Sequence, residues 1–162
     1  MANKQELKAL NAQLKEIISN PSTVAVISAV GKDGNLYTQV SSKLQAVSDT
    51  RLAFWELLET SQVHKNILYS LWFDKTVVLT LIAPDGTNYV VNLKPYQALI
   101  AGQDFESYYS QALEEFGEDT DLSTIWYLDV LSYTEESYQV ARKREREEHP
   151  YLTHFDHIVK KA

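Results

Sequence analysis

The pattern of hydrophobic and polar positions predicts short strands joined by tight turns. Residues 24–30 form an apolar run rich in valine, and a polar turn follows over residues 31–35. A second strand is predicted from residue 36 to about residue 47, and a third over residues 52–58. Later strands are predicted over residues 76–82, 87–100 and 124–133. The segment 76–82 is almost continuously apolar, which is typical of a strand buried on both faces.

Four other segments are predicted to be helical. An amphipathic helix is predicted over residues 4–19, where Asn20-Pro21 stops it. A second helix begins near residue 62, directly after the third strand and a polar turn. A third is predicted to start with Asp104 as its N-cap and to end at Gly117. A charged helix is predicted over residues 135–148, and Pro150 ends it.

This order of elements predicts a mainly β fold, a small antiparallel barrel with flanking helices. We predict a single domain over residues 1–162, with the N-terminal helix 4–19 and a C-terminal charged helix and tail 135–162. Strands that follow one another through tight turns favour antiparallel pairing over a parallel sheet, which needs longer crossovers.

Composition excludes several classes of function. The net charge of −7 argues against nucleic-acid binding, for which a basic face supplies most of the affinity. No apolar run reaches the length of a membrane helix, so no membrane partner is expected. The chain has no cysteine, which excludes disulfides and thiolate chemistry. Because the first residues lack an apolar leader segment, we expect a cytoplasmic protein.

The polar turn between the third strand and the second helix is the strongest candidate site. Thr60 and Ser61 carry hydroxyls and Lys65 carries a cation, at a helix start where backbone N–H groups favour an anion. The alternative interpretation is an ordinary surface helix capped by Ser61. Glu56 and Glu59 lie close in sequence, and a carboxylate beside a phosphate is unfavourable unless it points away.

The hairpin "KDGNLYTQV" and the crossover "LAFWELLETSQVHKNI" resemble those of the pyridoxamine 5′-phosphate oxidase-like split barrels, which bind FMN. The resemblance spans residues 20–133 as a pattern of elements. It implies an antiparallel split β-barrel that forms a homodimer, with the cofactor between the subunits. It also implies a flavin-dependent oxidoreductase for a small-molecule redox substrate, in which the flavin N5 exchanges hydride and no protein residue is assigned a catalytic role.

The resemblance further implies which residues contact FMN. Thr60, Ser61, Lys65 and Lys43 would anchor the phosphate, and the second and third strands would line the ring. The full set of expected contacts is Gln39, Val40, Lys43, Trp55, Thr60, Ser61, Lys65 and Trp126. For Lys43 the alternative is a solvent-facing strand position, and for each tryptophan it is core packing. The chain departs from the family at Gln62 and Val63, where basic residues are expected.

The C-terminal segment suggests two further interpretations. His149, His154 and His157 could ligate a metal or haem, but we favour a solvated or docking tail and predict no metal site. The segment lacks the Arg-Leu-x-Pro-x-Arg pattern of true pyridoxamine phosphate oxidases, so that activity is not expected. Two other functions stay open on the same barrel, a module that binds or senses haem or another ligand and a cofactor-free interaction protein.

Overall fold

The computed structural model describes residues 6–150, which form seven strands and four helices. The strands are β1 (Val24–Val30), β2 (Leu36–Val40), β3 (Lys43–Ser48), β4 (Arg51–Glu56), β5 (Val77–Ile82), β6 (Asn88–Leu99) and β7 (Thr124–Glu135). The helices are α1 (Ala12–Ser19), α2 (Gln62–Trp72), α3 (Gln103–Phe116) and α4 (Tyr138–Glu148).

All strands pair antiparallel in one curled sheet of order β2-β1-β5-β6-β7-β4-β3. The sheet forms a half-barrel, which confirms the predicted mainly β fold with flanking helices. β2 and β3 follow each other in the chain but lie at opposite edges of the sheet. The connection between them therefore spans the opening of the curl.

The predicted strand over residues 36–47 is wrong in one respect, because it is two strands separated by Ser41 and Ser42. The Ser41 N–H donates to the carbonyl of Ala25 at 2.8 Å, and its hydroxyl donates to the carbonyl of Lys43 at 2.9 Å. These two bonds hold the chain where it ends its pairing with β1 and begins its pairing with β4. Ser41 fits the alternation with Gln39 and Lys43, and only Ser42 departs from it, so the pattern gives little sign of the break.

The predicted start of the first helix is also wrong. Asn11 caps α1, since its side-chain oxygen accepts the Leu14 N–H at 2.7 Å. Residues 6–11 lie before the helix and bind other segments, with the Lys8 N–H on the Val130 carbonyl and the Leu10 N–H on the Asp49 carbonyl. Apolar spacing before a cap does not make helix when the backbone bonds elsewhere.

The remaining helix ends differ from the prediction only in detail. Gly102, with φ of 97°, precedes α3, so Asp104 lies in the first turn of the helix rather than at its N-cap. Gly117 ends α3 with φ of 100°, as predicted. The charged helix α4 starts at Tyr138 because β7 continues to Glu135.

Buried side chains form two clusters on opposite faces of the sheet. The main cluster fills the inside of the curl, where Leu14 of α1 and Ile67 of α2 pack on inward residues of the strands. The second cluster lies beneath α3 on the outer side of β4 and β7, and comprises Ala53, Trp55, Ala112, Leu122 and Ile125. The two faces of β4 therefore belong to different cores.

The burial of β5 differs from the expectation, drawn from its sequence, that both of its faces are buried. Val77, Leu79 and Leu81 are buried, but Val78 and Thr80 are half-buried and Ile82 is 42% exposed. The strand is therefore buried on one face in a single chain, because the helices of the described residues cover only the other face at this point.

In the described part of the chain, every helix is too short or too polar to cross a membrane.

Candidate functional site

The turn that starts α2 is held by the serine that the sequence singled out. The Ser61 hydroxyl oxygen accepts the His64 N–H at 3.1 Å, which makes Ser61 the N-cap of α2. The same hydroxyl donates to Gln39 Oε1 of β2 at 2.7 Å. Because a hydroxyl has one proton, this bond directs it towards the sheet rather than towards solvent.

A buried carboxyl group lies directly behind this pair. Glu56, at the end of β4, is 1% exposed and accepts the Leu58 N–H at 3.1 Å. Gln39 Nε2 reaches both carboxyl oxygens of Glu56, at 3.3 and 3.4 Å. The Gln39 amide thus joins Ser61 to Glu56, and the three side chains form a network that we call the turn network.

The turn network disfavours an anion at the Ser61 hydroxyl itself, because a carboxyl group stands behind it and the proton is already donated. Thr60 and Lys65 are exposed on the solvent side of the same turn. The donors that remain for an anion are therefore on the outer side of the helix start.

His64, on the first turn of α2, connects the turn network to the core. Its Nδ1 accepts the Nε1–H of Trp126 at 3.2 Å, and the two rings lie with centroids 5.5 Å apart. Burial lowers the pKa of His64 below its ordinary value, against the opposing influence of Glu56 and Glu59. Protonation of Nδ1 would also remove the acceptor of the Trp126 bond.

Lys43 lies in different surroundings from the α2 turn. On β3 it is opposite Trp55 of β4, and its Nζ is 4.5 Å from the centre of that indole ring. It also forms an ion pair with Glu115 of α3. The indole is fully buried, meets Tyr108 edge-on at 5.5 Å between ring centroids, and its Nε1 has no hydrogen-bond partner among the described residues.

The eight expected contacts thus separate into several groups. Gln39 meets Ser61, Lys43 meets Trp55, Trp126 meets His64, and Thr60 and Lys65 stand exposed at the turn. Val40 is 63% exposed on the outer face of β2. The two tryptophan side chains have no exposed surface in the single chain, and the cofactor contacts of all eight residues stay predictions.

Sequence analysis missed the inner half of the turn network. The sequence suggested Glu56 only as an unfavourable neighbour of a phosphate and predicted no contact for His64, although both are held by defined contacts. The signal that could have found them is a charged residue at the end of an apolar strand followed by a helix-capping serine.

The structure also contains a cavity that the sequence did not indicate. It has a volume of about 440 Å³ and lies between α1, the start of β1 and the connection from β2 to β3. Lys15 and Lys43 are among the residues that line it, whereas Thr60, Ser61 and Lys65 are not. Of the expected phosphate anchors, the cavity therefore includes Lys43 but none of the residues of the α2 turn.

Between residues 6 and 150, no group of three or more histidine, aspartate or glutamate side chains is placed to hold a metal ion. His149 is at the end of α4, and the other two histidines of the tail, His154 and His157, lie outside the described residues.

No protein-family model matches the chain, and no curated protein matches its sequence. Solved structures do match it. HupZ of group A Streptococcus superposes with a TM-score of 0.64 at 13% identity, over 80% of this chain and 95% of that one. The fold of this chain is a split barrel.

Two further split barrels support the same fold. An FMN-binding protein of Syntrophomonas wolfei gives a TM-score of 0.59 at 13% identity, over 76% of this chain and 83% of that one. A putative pyridoxamine 5′-phosphate oxidase of Lactobacillus delbrueckii gives 0.56 at 15% identity, over 78% and 93%. At these identities the likeness establishes the fold of this chain, and the resemblance predicted from its sequence is confirmed at that level.

Proposed function

We propose that this protein binds FMN as a homodimer and uses it in redox chemistry on a small-molecule substrate. The observation that carries the proposal is the split-barrel fold, which it has in common with the FMN-binding protein of Syntrophomonas wolfei over 76% of the chain. A cytoplasmic location accords with a chain that has no cysteine.

The start of α2 fits the phosphate of a flavin nucleotide on its outer side. Thr60 offers an exposed hydroxyl and Lys65 an exposed ammonium group, next to the N-terminal turn of a helix of 11 residues. Ser61 and Gln39 would position this turn rather than bind the phosphate, because their polar atoms are engaged with each other and with Glu56. A bound flavin would supply hydride transfer, which needs no acid or base from the protein.

The homodimer is supported by an outer sheet face that carries no charge. The outward positions of β1, β2 and β5 are paired in register across the three strands. They are Val24, Val26, Ser28, Val30, Leu36, Thr38, Val40, Val78, Thr80 and Ile82. We call this set the uncharged face. Large faces of this kind on soluble chains are commonly protein interfaces, and a second copy is the occupant that we propose.

An absorbance spectrum tests the cofactor assignment. The purified protein is loaded with excess FMN, desalted and scanned, and we expect flavin bands at about one FMN per chain. Protein that is colourless after loading, or that shows a haem spectrum in place of flavin bands, would overturn the proposal.

A variant pair tests the location of the phosphate. Lys65→Ala removes the cation at the α2 turn, and we expect FMN affinity to fall roughly 5-fold to 20-fold, since a charge-assisted bond is lost. Lys32→Ala is the matched control, because Lys32 is an exposed lysine in the turn between β1 and β2. Equal affinity in the two variants would place the phosphate elsewhere.

A further inference from the structure

The cavity lies where the curled sheet is open. One wall is formed by Lys15, Ile18 and Ser19 of α1 and by residues between 20 and 25, and the other is the segment 41–46, which includes four of the six residues of β3. Among the described residues β3 is an edge strand that pairs with β4 on one side, so its other edge carries backbone N–H and C=O groups without a strand partner there. The volume of about 440 Å³ lies within the range of small-molecule sites, roughly 300–1,000 Å³.

The walls of the cavity combine an apolar floor with a polar mouth. Ile18, Ala25 and Leu81 contribute the floor and belong to the main core, with exposures of 8%, 8% and 1%. Ser41 and Ser42 bring hydroxyls to the connection between the two edge strands. An apolar floor with a few converging polar groups is the usual composition of a ligand site.

Two lysines at the mouth set the charge of the ligand. Lys43 is paired with Glu115, whose side chain is 45% exposed, and Lys15 is paired with Asp49, whose side chain is 77% exposed. Exposed ion pairs of this kind contribute little to stability, so an incoming anion can take the place of either carboxylate. The position of Lys43 over the Trp55 ring keeps its ammonium group at this place when Glu115 is displaced.

We propose that this cavity binds a small amphipathic anion, an organic carboxylate whose apolar body enters the floor while its carboxylate meets Lys43 and Lys15. Lys43 is one of the eight expected FMN contacts, whereas no residue of the α2 turn, where we propose the flavin phosphate, lines the cavity.

Octanoate and 1-octanol, which differ in charge but share an apolar chain, are the probes. Titration calorimetry with the full-length protein should show binding of octanoate and at least 10-fold weaker binding of 1-octanol, because only the carboxylate meets the lysines. Equal binding of the two probes, or no binding of octanoate, would overturn the proposal.

Two charge variants separate the roles of the ion pair. Lys43→Gln should weaken octanoate binding roughly 3-fold to 10-fold, whereas Glu115→Gln should strengthen it by a factor of about 2 to 5, because it removes the competing carboxylate. Neither change should alter the binding of 1-octanol. If Glu115→Gln weakens octanoate binding, the carboxylate is part of the site rather than a competitor, and the proposal is wrong.

A steric pair locates the ligand. Ser42 is exposed at the mouth of the cavity, so Ser42→Trp should block octanoate while leaving the fold intact. Val47→Trp is the control, because Val47 is 40% exposed on the adjoining strand β3 and lies outside the cavity lining. Octanoate binding that survives Ser42→Trp places the ligand elsewhere. Competition between FMN and octanoate would assign the cavity to the flavin and would also contradict the proposal.

Discussion

At the scale of single residues, the orientation of one amide decides what the α2 turn can bind. Gln39 donates through Nε2 to Glu56 and accepts through Oε1 from Ser61, so both ends of its amide are fixed by their partners. The Ser61 proton is consequently directed inward. A phosphate at this turn has to rely on Thr60 and Lys65, which belong to the exposed side.

We expect the loss of the Glu56 carboxyl group from the turn network to lower the stability of the protein strongly. Glu56→Ala would remove a buried side chain together with the acceptor of the Gln39 amide and of the Leu58 N–H, so we expect the free energy of unfolding to fall by about 2–3 kcal/mol. Urea denaturation measures this change in the free energy of unfolding. Glu59→Ala, three residues later and exposed, is the control and should stay within about 0.5 kcal/mol of the parent. Equal stabilities of the two variants would mean that the network contributes little.

We expect the titration of His64 to make the protein less stable in acid. Burial lowers its folded pKa below the ordinary value of 6.5, so below that pH the unfolded chain binds more protons than the folded one. The free energy of unfolding should therefore fall as the pH drops from 6.5 to the folded pKa. His64→Gln retains an acceptor for Trp126 and does not titrate, so it should lose less stability over this window.

Urea denaturation of both proteins at about pH 7.5 and about pH 5.5 makes the comparison. An NMR titration of the His64 ring supplies the folded pKa directly. If parent and variant lose stability in parallel, another group controls the acid response. If the His64 pKa is at or above 6.5, the effect attributed to burial is absent.

The residue identities alone revealed part of this site. Ser61 was predictable as a cap, because serine before a helical pattern is a common N-cap. Glu56 was marked only by its place at the end of an apolar strand before the capping serine, because a glutamate is rarely buried and its sequence neighbours do not show that Gln39 will reach it. The alternation of a single strand also placed Gln39 and Lys43 on one face. In the structure Gln39 pairs with Ile27 on the inner face, whereas Lys43 pairs with Trp55 of the outer cluster.

At the scale of elements, the break at Ser41 and Ser42 separates the two halves of the predicted phosphate site. β2 pairs with β1, β3 pairs with β4, and the break carries the chain from one sheet edge to the other. Periodicity identifies a strand but gives no information on which strand lies beside it. The break also forms one wall of the cavity, so the same two serines that divide one site help to make another.

Helix α3 closes the second core, and its contacts there lead to a prediction. Tyr108 packs edge-on against Trp55, and the Tyr127 hydroxyl lies 3.5 Å from the Tyr108 hydroxyl. Tyr108→Ala should therefore lower the free energy of unfolding by about 2–3 kcal/mol and speed hydrogen exchange in α3 more than in β5 and β6. Burial raises the pKa of Tyr127 to about 12, and this pKa should fall towards 10 in the variant.

Hydrogen exchange, denaturation and an NMR titration of the tyrosine rings measure the three effects. Tyr138→Ala, at the start of α4 and 70% exposed, is the control and should leave all three unchanged. Exchange that speeds uniformly over the chain would contradict a local role for Tyr108.

At the scale of the whole molecule, one discrepancy between sequence and structure is itself informative. The apolar run that became β5 is typical of a strand buried on both faces, yet in the single chain its outer face is open. A second copy packed on the uncharged face would bury that side of β5. The sequence pattern and the proposed dimer are thus consistent, because a strand face that a second chain buries is as apolar as one buried within its own chain.

A charge at the centre of the uncharged face tests this interpretation. Val26 lies between Val40 and Thr80 in register, so Val26→Lys would place an ammonium group in the middle of the proposed interface. We expect the parent to be a dimer at micromolar concentration by light scattering and the variant to be a monomer with an unchanged circular dichroism spectrum. Trp72→Lys is the control, because Trp72 is 77% exposed at the end of α2, and it should stay dimeric.

The same pair of variants links assembly to the cofactor. If FMN sits between the subunits, Val26→Lys should lose bound FMN together with the dimer, while Trp72→Lys retains both. A monomeric Val26→Lys protein that still binds FMN at the parent affinity would mean that one chain holds the whole flavin site. A parent protein that is itself monomeric would leave the uncharged face without the partner proposed for it. Light scattering and the flavin spectrum on the same samples therefore decide whether the cofactor belongs to the chain or to the dimer.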